Sequence, residues 1–143
     1  MMKKIFAAAT LLLAMTACGG SQTKNQPLEG TSWKLSRMET IPASAIEAEA
    51  DAFTLEFNAA DTMVAGRTNC NRFFGKYALS GQSLKFENLG MTRMACPDME
   101  YENAFVQMLN GVDGYEIKGS ELKLLDGQKR VVAEFRVAEA ASK

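Results

Sequence analysis

No histidine occurs anywhere in this chain. That absence removes the commonest general base and the commonest metal ligand together. Cysteine is scarce too. There are three, Cys18, Cys70 and Cys96, too few for a zinc site with no histidine to complete it. Positive charge is not in excess, since 16 Lys and Arg stand against 17 Asp and Glu. Without a basic stripe to displace counterions, nucleic acid is excluded as a partner. No apolar run reaches the ~20 residues that a membrane-spanning helix needs. The residues point to no cofactor and no metal.

What is present begins at the N-terminus. Lys3 and Lys4 form a short positive region, and residues 5–15 form an apolar run of signal-peptide length. Thr16 and Ala17 supply small residues before Cys18. Met15-Thr16-Ala17-Cys18 resembles a bacterial lipobox. The resemblance implies a signal peptide over 1–17, cleavage before Cys18, a diacylglycerol on its sulfur and an acyl group on its new amine. Several buried acyl chains, at ~0.8 kcal/mol per CH₂, make a stable anchor where one would not. A plain signal peptide cut elsewhere would instead leave Cys18 a free thiol. Gly19 follows the cysteine where Asp would mark retention in the inner membrane. The expected location is thus the outer membrane, facing the periplasm. Residues 18–27 read as the lipidated cysteine and a flexible tether.

Residues 28–138 read as one domain. Of 143 residues, 126 remain after the leader, enough for one ordinary core. Taking Lys3 and Lys4 from the 16 basic residues leaves 14 against 17 acids, a charge of −3. The pattern from Leu28 is mainly of period two. Residues 28–38, with Trp33 and Leu35, read as a first strand. Phe53, Leu55 and Phe57 alternate cleanly, residues 63–66 form a short strand, and Phe73, Tyr77 and Leu79 share a face. Ser80-Gly81-Gln82-Ser83 reads as a turn before Leu84 and Phe86. Lys118-Gly119-Ser120-Glu121 reads as a hairpin turn, Asp126-Gly127 as another, and Val131, Ala133, Phe135 and Val137 as a last strand. Short strands at this spacing predict a closed or nearly closed antiparallel sheet.

One segment departs from that pattern. Tyr101, Phe105, Met108, Leu109 and Val112 recur at helical spacing. Pro97 suits a first turn, Asp98, Glu100 and Glu102 complement the helix dipole, and Asn110-Gly111 marks a stop. Residues 41–52 read as a long connection with one helical turn. The fold class is mainly β (α+β): a small antiparallel, barrel-like sheet with one helix packed against it.

Leu28-Glu29-Gly30-Thr31-Ser32-Trp33-Lys34-Leu35 resembles the opening of the META domain, the family of the heat-inducible HslJ proteins. Asn69-Cys70-Asn71-Arg72-Phe73-Phe74-Gly75-Lys76-Tyr77 is similar to its central block, and Gly90-Met91-Thr92-Arg93-Met94-Ala95-Cys96 to its third. Asn69 stands where a Gly often precedes the central Cys. The resemblance implies a barrel-like sheet with one helix and no assigned catalytic residue. It also implies loose ties to stress response, envelope function, motility or virulence, and a fold likened to that of outer-membrane pilot lipoproteins.

Cys70 and Cys96 form an even pair in an oxidising compartment, where a disulfide is the simplest outcome. Closing their 26-residue separation would stabilise by on the order of 3 kcal/mol. Two buried thiols or a redox couple remain the alternatives, although no CxxC lowers either thiol pKa. Met91, Met94 and Met99 near Cys96 read as gap-filling core in preference to a Cu(I) site. Trp33 and Tyr77 read as core. Asn69, Asn71, Arg72 and Arg93 either satisfy backbone around a turn or face a ligand or partner.

Three function classes follow. The first is a non-enzymatic envelope lipoprotein, held to the membrane at Cys18 and binding or supporting another envelope protein. The second is a carrier of a small apolar ligand in the barrel, which the many phenylalanines oppose. The third is a hydrolase with paired carboxylates such as Asp61 and Glu87, a pair that no spacing singles out.

Overall fold

A computed structural model describes residues 24–138. Cys18, the lipobox, the first part of the tether and the tail after Ala138 lie outside the described residues. Eight strands form the wall: β1 Ser32–Arg37, β2 Thr54–Asn58, β3 Met63–Arg67, β4 Arg72–Ser80, β5 Ser83–Met91, β6 Gly114–Lys118, β7 Glu121–Leu125 and β8 Val131–Val137. Each pairs antiparallel with the next, and β8 returns to β1, so the ring closes. The helix α1, Ala43–Glu47, is the single turn expected between β1 and β2, and α2, Met99–Asn110, joins β5 to β6.

The ring is uneven. β4 and β5 pair over their length, whereas β5 and β6 meet only at Ser83 and Gly114. From that point the two strands run apart, and α2 returns from the end of β5 to the start of β6. Its Phe105 ring fills the interior, edge-on to Phe53 at 5.4 Å and tilted against Phe73 at 5.9 Å and Phe135 at 6.2 Å. The helix thus supplies inner wall that the sheet lacks there.

The period-two expectation places the core correctly except at Val131, which is exposed where β7 and β8 slip register. Trp33, Leu35, Leu55, Phe57, Phe73, Tyr77, Leu84, Leu122, Leu124, Ala133 and Phe135 all face inward and are buried. Two glycines permit close approaches. A Cβ on Gly66 would lie 2.0 Å from the Thr54 carbonyl oxygen and 2.5 Å from the Phe73 ring. One on Gly75 would lie 2.9 Å from the Glu87 oxygen, where β4 and β5 slip register.

Several local expectations need correction. Pro97 is not in the first turn: α2 begins at Met99 after Asp98, so proline ends the incoming loop. Glu102 does lie in the first turn of α2 as expected, but its side chain is also buried. Met94 is not core, being 59% exposed, and Met91 and Met99 are only partly buried. The β7–β8 turn falls at Asp126-Gly127 as expected, but the glycine does not carry its positive φ. Lys129 carries the positive φ, and the Asp126 carboxylate accepts from the backbone N–H groups of Gln128 and Arg130, each at 2.9 Å. Those bonds, the one to Arg130 first, lower the Asp126 pKa. The coil expected through Pro27 is already held at Asn25 and Gln26, which bond the backbone of Gly119 in the β6–β7 turn.

Just beyond, the segment Leu28 to Gly30 seals that end of the barrel. Trp33 Nε1 donates to the Leu28 oxygen at 3.1 Å, Gly30 N–H to the Phe57 oxygen at 2.9 Å, and the Tyr77 hydroxyl to Glu29.

Candidate functional site

The opposite end of the barrel gathers most of the polar residues singled out from sequence. β3 ends at Arg67 and β4 begins at Arg72, so Thr68 to Asn71 must turn the chain through about 180°. The Thr68 hydroxyl oxygen accepts from the N–H groups of Cys70 at 3.1 Å and Asn71 at 2.9 Å, and Thr68 N–H donates to the Asn71 oxygen at 2.8 Å. This is the local hydroxyl-to-backbone bonding that favours threonine at turns. Asn69 needs no positive φ here, so the turn does not require glycine at this position.

Beneath the turn lies a buried polar network. Thr68, Asn71 and Glu102 are each no more than 1% exposed. The Thr68 hydroxyl donates to Glu102 Oε1 at 2.6 Å, and Asn71 Nδ2 donates to Glu102 Oε2 at 3.1 Å and to the Met94 oxygen at 3.1 Å. Asn71 Oδ1 accepts from Met94 N–H at 2.7 Å and from the Thr92 hydroxyl at 3.0 Å. One side chain therefore ties the loop after β5 to α2. Buried groups this fully bonded specify a geometry, because leaving any one unpaired costs about 1–3 kcal/mol.

The two cysteines add a covalent tie over the same span. Cys70 and Cys96 are disulfide-bonded, with Cα atoms 6.0 Å apart. Asn69 Nδ2 donates to the Asp98 oxygen at 2.9 Å, while its Oδ1 is buried with no partner among the described residues.

The four candidate surface residues therefore separate. Asn71 lies inside and Asn69 partly inside, each holding backbone. Arg72 and Arg93 point outward. Phe74, 53% exposed, and Met94 stand outside with them and were missed in the sequence, where both read as core. Thr68 and Glu102 were missed as well. Helical spacing carried a usable signal for Glu102, since it lies three residues before Phe105 on the inner face of α2.

Other chemistry is thin. Asp61 sits in the β2–β3 turn, bonding Met63 N–H at 3.1 Å, and Glu87 lies on β5 beyond β4. Among the described residues no three His, Cys, Asp or Glu side chains are placed to hold a metal. Two grooves open on the outer surface. One of about 810 Å³ runs past Met38, Gln107, Met108 and Arg130. The other, of about 620 Å³, passes Glu29, Glu56 and Met63. The barrel interior, where a small apolar ligand would sit, is occupied by Trp33, Phe53, Phe57, Phe73, Phe105 and Phe135.

Comparison with known proteins agrees with this architecture. The META domain family model matches residues 26–139. No curated protein matches the chain. A protein from Burkholderia xenovorans, solved by NMR, is 27% identical, with a TM-score of 0.60 over 79% of this chain and 85% of that one. A second NMR structure is 23% identical, with a TM-score of 0.58 over 78% and 92%. A DUF4847 family protein from Bacteroides vulgatus is 17% identical, with a TM-score of 0.52 over 81% and 96%. The last two share the fold.

Proposed function

The chain belongs to the META domain family, and we propose on that footing that it is a non-enzymatic lipoprotein of the cell envelope, working by surface contact with another envelope component. The observation that carries this reading is the filled interior. Six aromatic rings occupy the space a carrier would keep open, so binding falls to the outer surface. Against catalysis stand the lack of histidine, the disulfide that occupies both domain cysteines, and the engagement of Glu102 with Thr68 and Asn71. Attachment is assigned to lipid on Cys18. Among the described residues no helix is long and apolar enough to cross a membrane. The outer membrane, with the domain on its periplasmic side, is the assigned location, and support of the envelope under stress is the assigned role.

Mass spectrometry of the native protein from its own cells tests the anchor. The expected product begins at Cys18 and carries a diacylglycerol and an acyl group. A product that keeps Met1, or one that begins elsewhere without lipid, overturns the reading. Deletion of the gene tests the role. Loss of growth or of envelope integrity on heating supports it, and unchanged integrity opposes it.

A further inference from the structure

Asn69 and Asn71 stand on either side of Cys70, and each reaches across to one side of Cys96. Asn71 Nδ2 donates to the oxygen of Met94, two residues before Cys96, at 3.1 Å, and its Oδ1 accepts from the Met94 N–H at 2.7 Å. Asn69 Nδ2 donates to the oxygen of Asp98, two residues after Cys96, at 2.9 Å. The disulfide lies between these two ties. Asn69 makes its bond at a cost, because its Oδ1 is left buried without a partner among the described residues.

The two sides of the bond are held differently. Cys70 sits in a turn fixed by the Thr68 hydroxyl, and Asn71 is braced from within by Glu102. None of that depends on sulfur. The segment 93–97 has no such frame. The β4–β5 pairing ends with Thr92 bonded to Arg72. Beyond it, among the described residues, no backbone-to-backbone hydrogen bond holds 93–97. Arg93, Met94, Ala95 and Pro97 are exposed, so no core packing holds them either. Besides the disulfide, the two asparagine side chains are what tie Met94 and Asp98 across to the Cys70 turn. Access differs as well. Cys70 is 2% exposed, whereas Cys96 is half-buried on an exposed segment.

We infer that Asn69 and Asn71 are positioning residues for the disulfide, holding Cys96 against Cys70 in the folded dithiol, and that Cys96 is the sulfur at which the folded domain exchanges with an outside disulfide. Two thiols held in place before they react have a high effective concentration for each other, since the freedom of the segment is already lost. The Cys96 thiolate attacks one sulfur of a disulfide R–S–S–R, forming Cys96–S–S–R and releasing R–S⁻. The Cys70 thiolate then attacks the Cys96 sulfur, breaking its bond to R–S and releasing the second R–S⁻. Each cysteine gives one proton to solvent, and together they pass two electrons to the reagent. This goes beyond the envelope reading and holds whether or not Cys18 carries lipid.

The test uses the full-length chain with Cys18→Ser, so that only the domain sulfurs report, equilibrated in buffers of reduced and oxidised glutathione. The reduced chain is expected to keep its native circular dichroism. Asn69→Ala should lower the equilibrium constant for closing the bond about fivefold, the size of one net hydrogen bond. Asn71→Ala should lower it about tenfold or more, and tenfold is a shift of about 30 mV for this two-electron couple. Asn69→Ala carries the test alone where Asn71→Ala fails to fold. Lys34→Met, which loosens the fold away from the cysteines, should leave the constant unchanged. In the reduced form, iodoacetamide should label Cys96 about tenfold or more faster than Cys70. Glutathione disulfide should give a mixed disulfide at Cys96 in the Cys70→Ser chain and none at Cys70 in the Cys96→Ser chain. A reduced chain that has lost its fold, a folded asparagine variant that closes its bond like the parent, a Lys34→Met chain that shifts with them, or Cys70 reacting first overturns the proposal.

Discussion

Asn71, in the turn before β4, and Glu102, in α2 and 31 residues further on, bond each other at 3.1 Å inside the protein. Neither side chain is more than 1% exposed. Replacing Asn71 by Ala removes four side-chain bonds and strands the Met94 backbone and one Glu102 oxygen. The expected loss is about 3 kcal/mol, since each orphaned buried group costs about 1–3 kcal/mol. Urea unfolding checks it. A loss under about 1 kcal/mol would show that water or rearrangement replaces the network.

The disulfide spans the same two segments. Cys70→Ala, Cys96→Ala and the double variant should each lose about 3 kcal/mol, with the double no worse than either single. Thiol labelling of the native, unreduced protein should find neither cysteine. Ready labelling of both would remove the bridge from the account.

Lys34 acts on another part of the fold. Its ammonium donates to the backbone oxygens of Ile46 at 2.9 Å, Glu49 at 3.0 Å and Ala52, pinning the connection that holds α1. Lys34→Met keeps the stem but leaves those oxygens without a donor. About 2 kcal/mol should be lost, with faster amide exchange at Ile46 and Ala52. Unchanged exchange there would mean the connection is held by Ile41 and Ile46 packing alone.

Tyr77 makes the domain sensitive to alkali. Burial first, then the bond to Glu29, pushes its phenol above the ordinary value near 10. The unfolded phenol ionises first as pH rises, so the folded state holds its proton longer. The stabilisation is complete below pH ~10 and is lost as pH climbs through the folded value. Titration by phenolate absorbance should show one of the three tyrosines lagging, and Tyr77→Phe should remove the laggard. Normal titration of all three would contradict the contact.

The strands were legible because alternation is a local property. Phe53, Leu55 and Phe57 declare one face whatever they pair with, and so do Ala133 and Phe135. The stop at Asn110-Gly111 was legible for the same reason. Glu102 was not foreseen, because an acid near a helix start has a sufficient local explanation in the dipole. Its actual partners, Thr68 and Asn71, are far away in sequence. Phe74 misled in the opposite sense. Its type suggests core, but in β4 its parity with Arg72 and Lys76 turns it outward.

Composition, periodicity and turn residues alone settle that this chain makes a small β-rich domain with one main helix and no histidine chemistry. The strands and the helix follow from side chains within a few residues of one another, and the rest from composition. The bond between Cys70 and Cys96, the seam between β5 and β6 that α2 fills, and the division of the motif residues into buried Asn71 and outward Arg72 came only with the tertiary fold. They depend on which distant segments share a wall, and that is decided by packing the whole core at once.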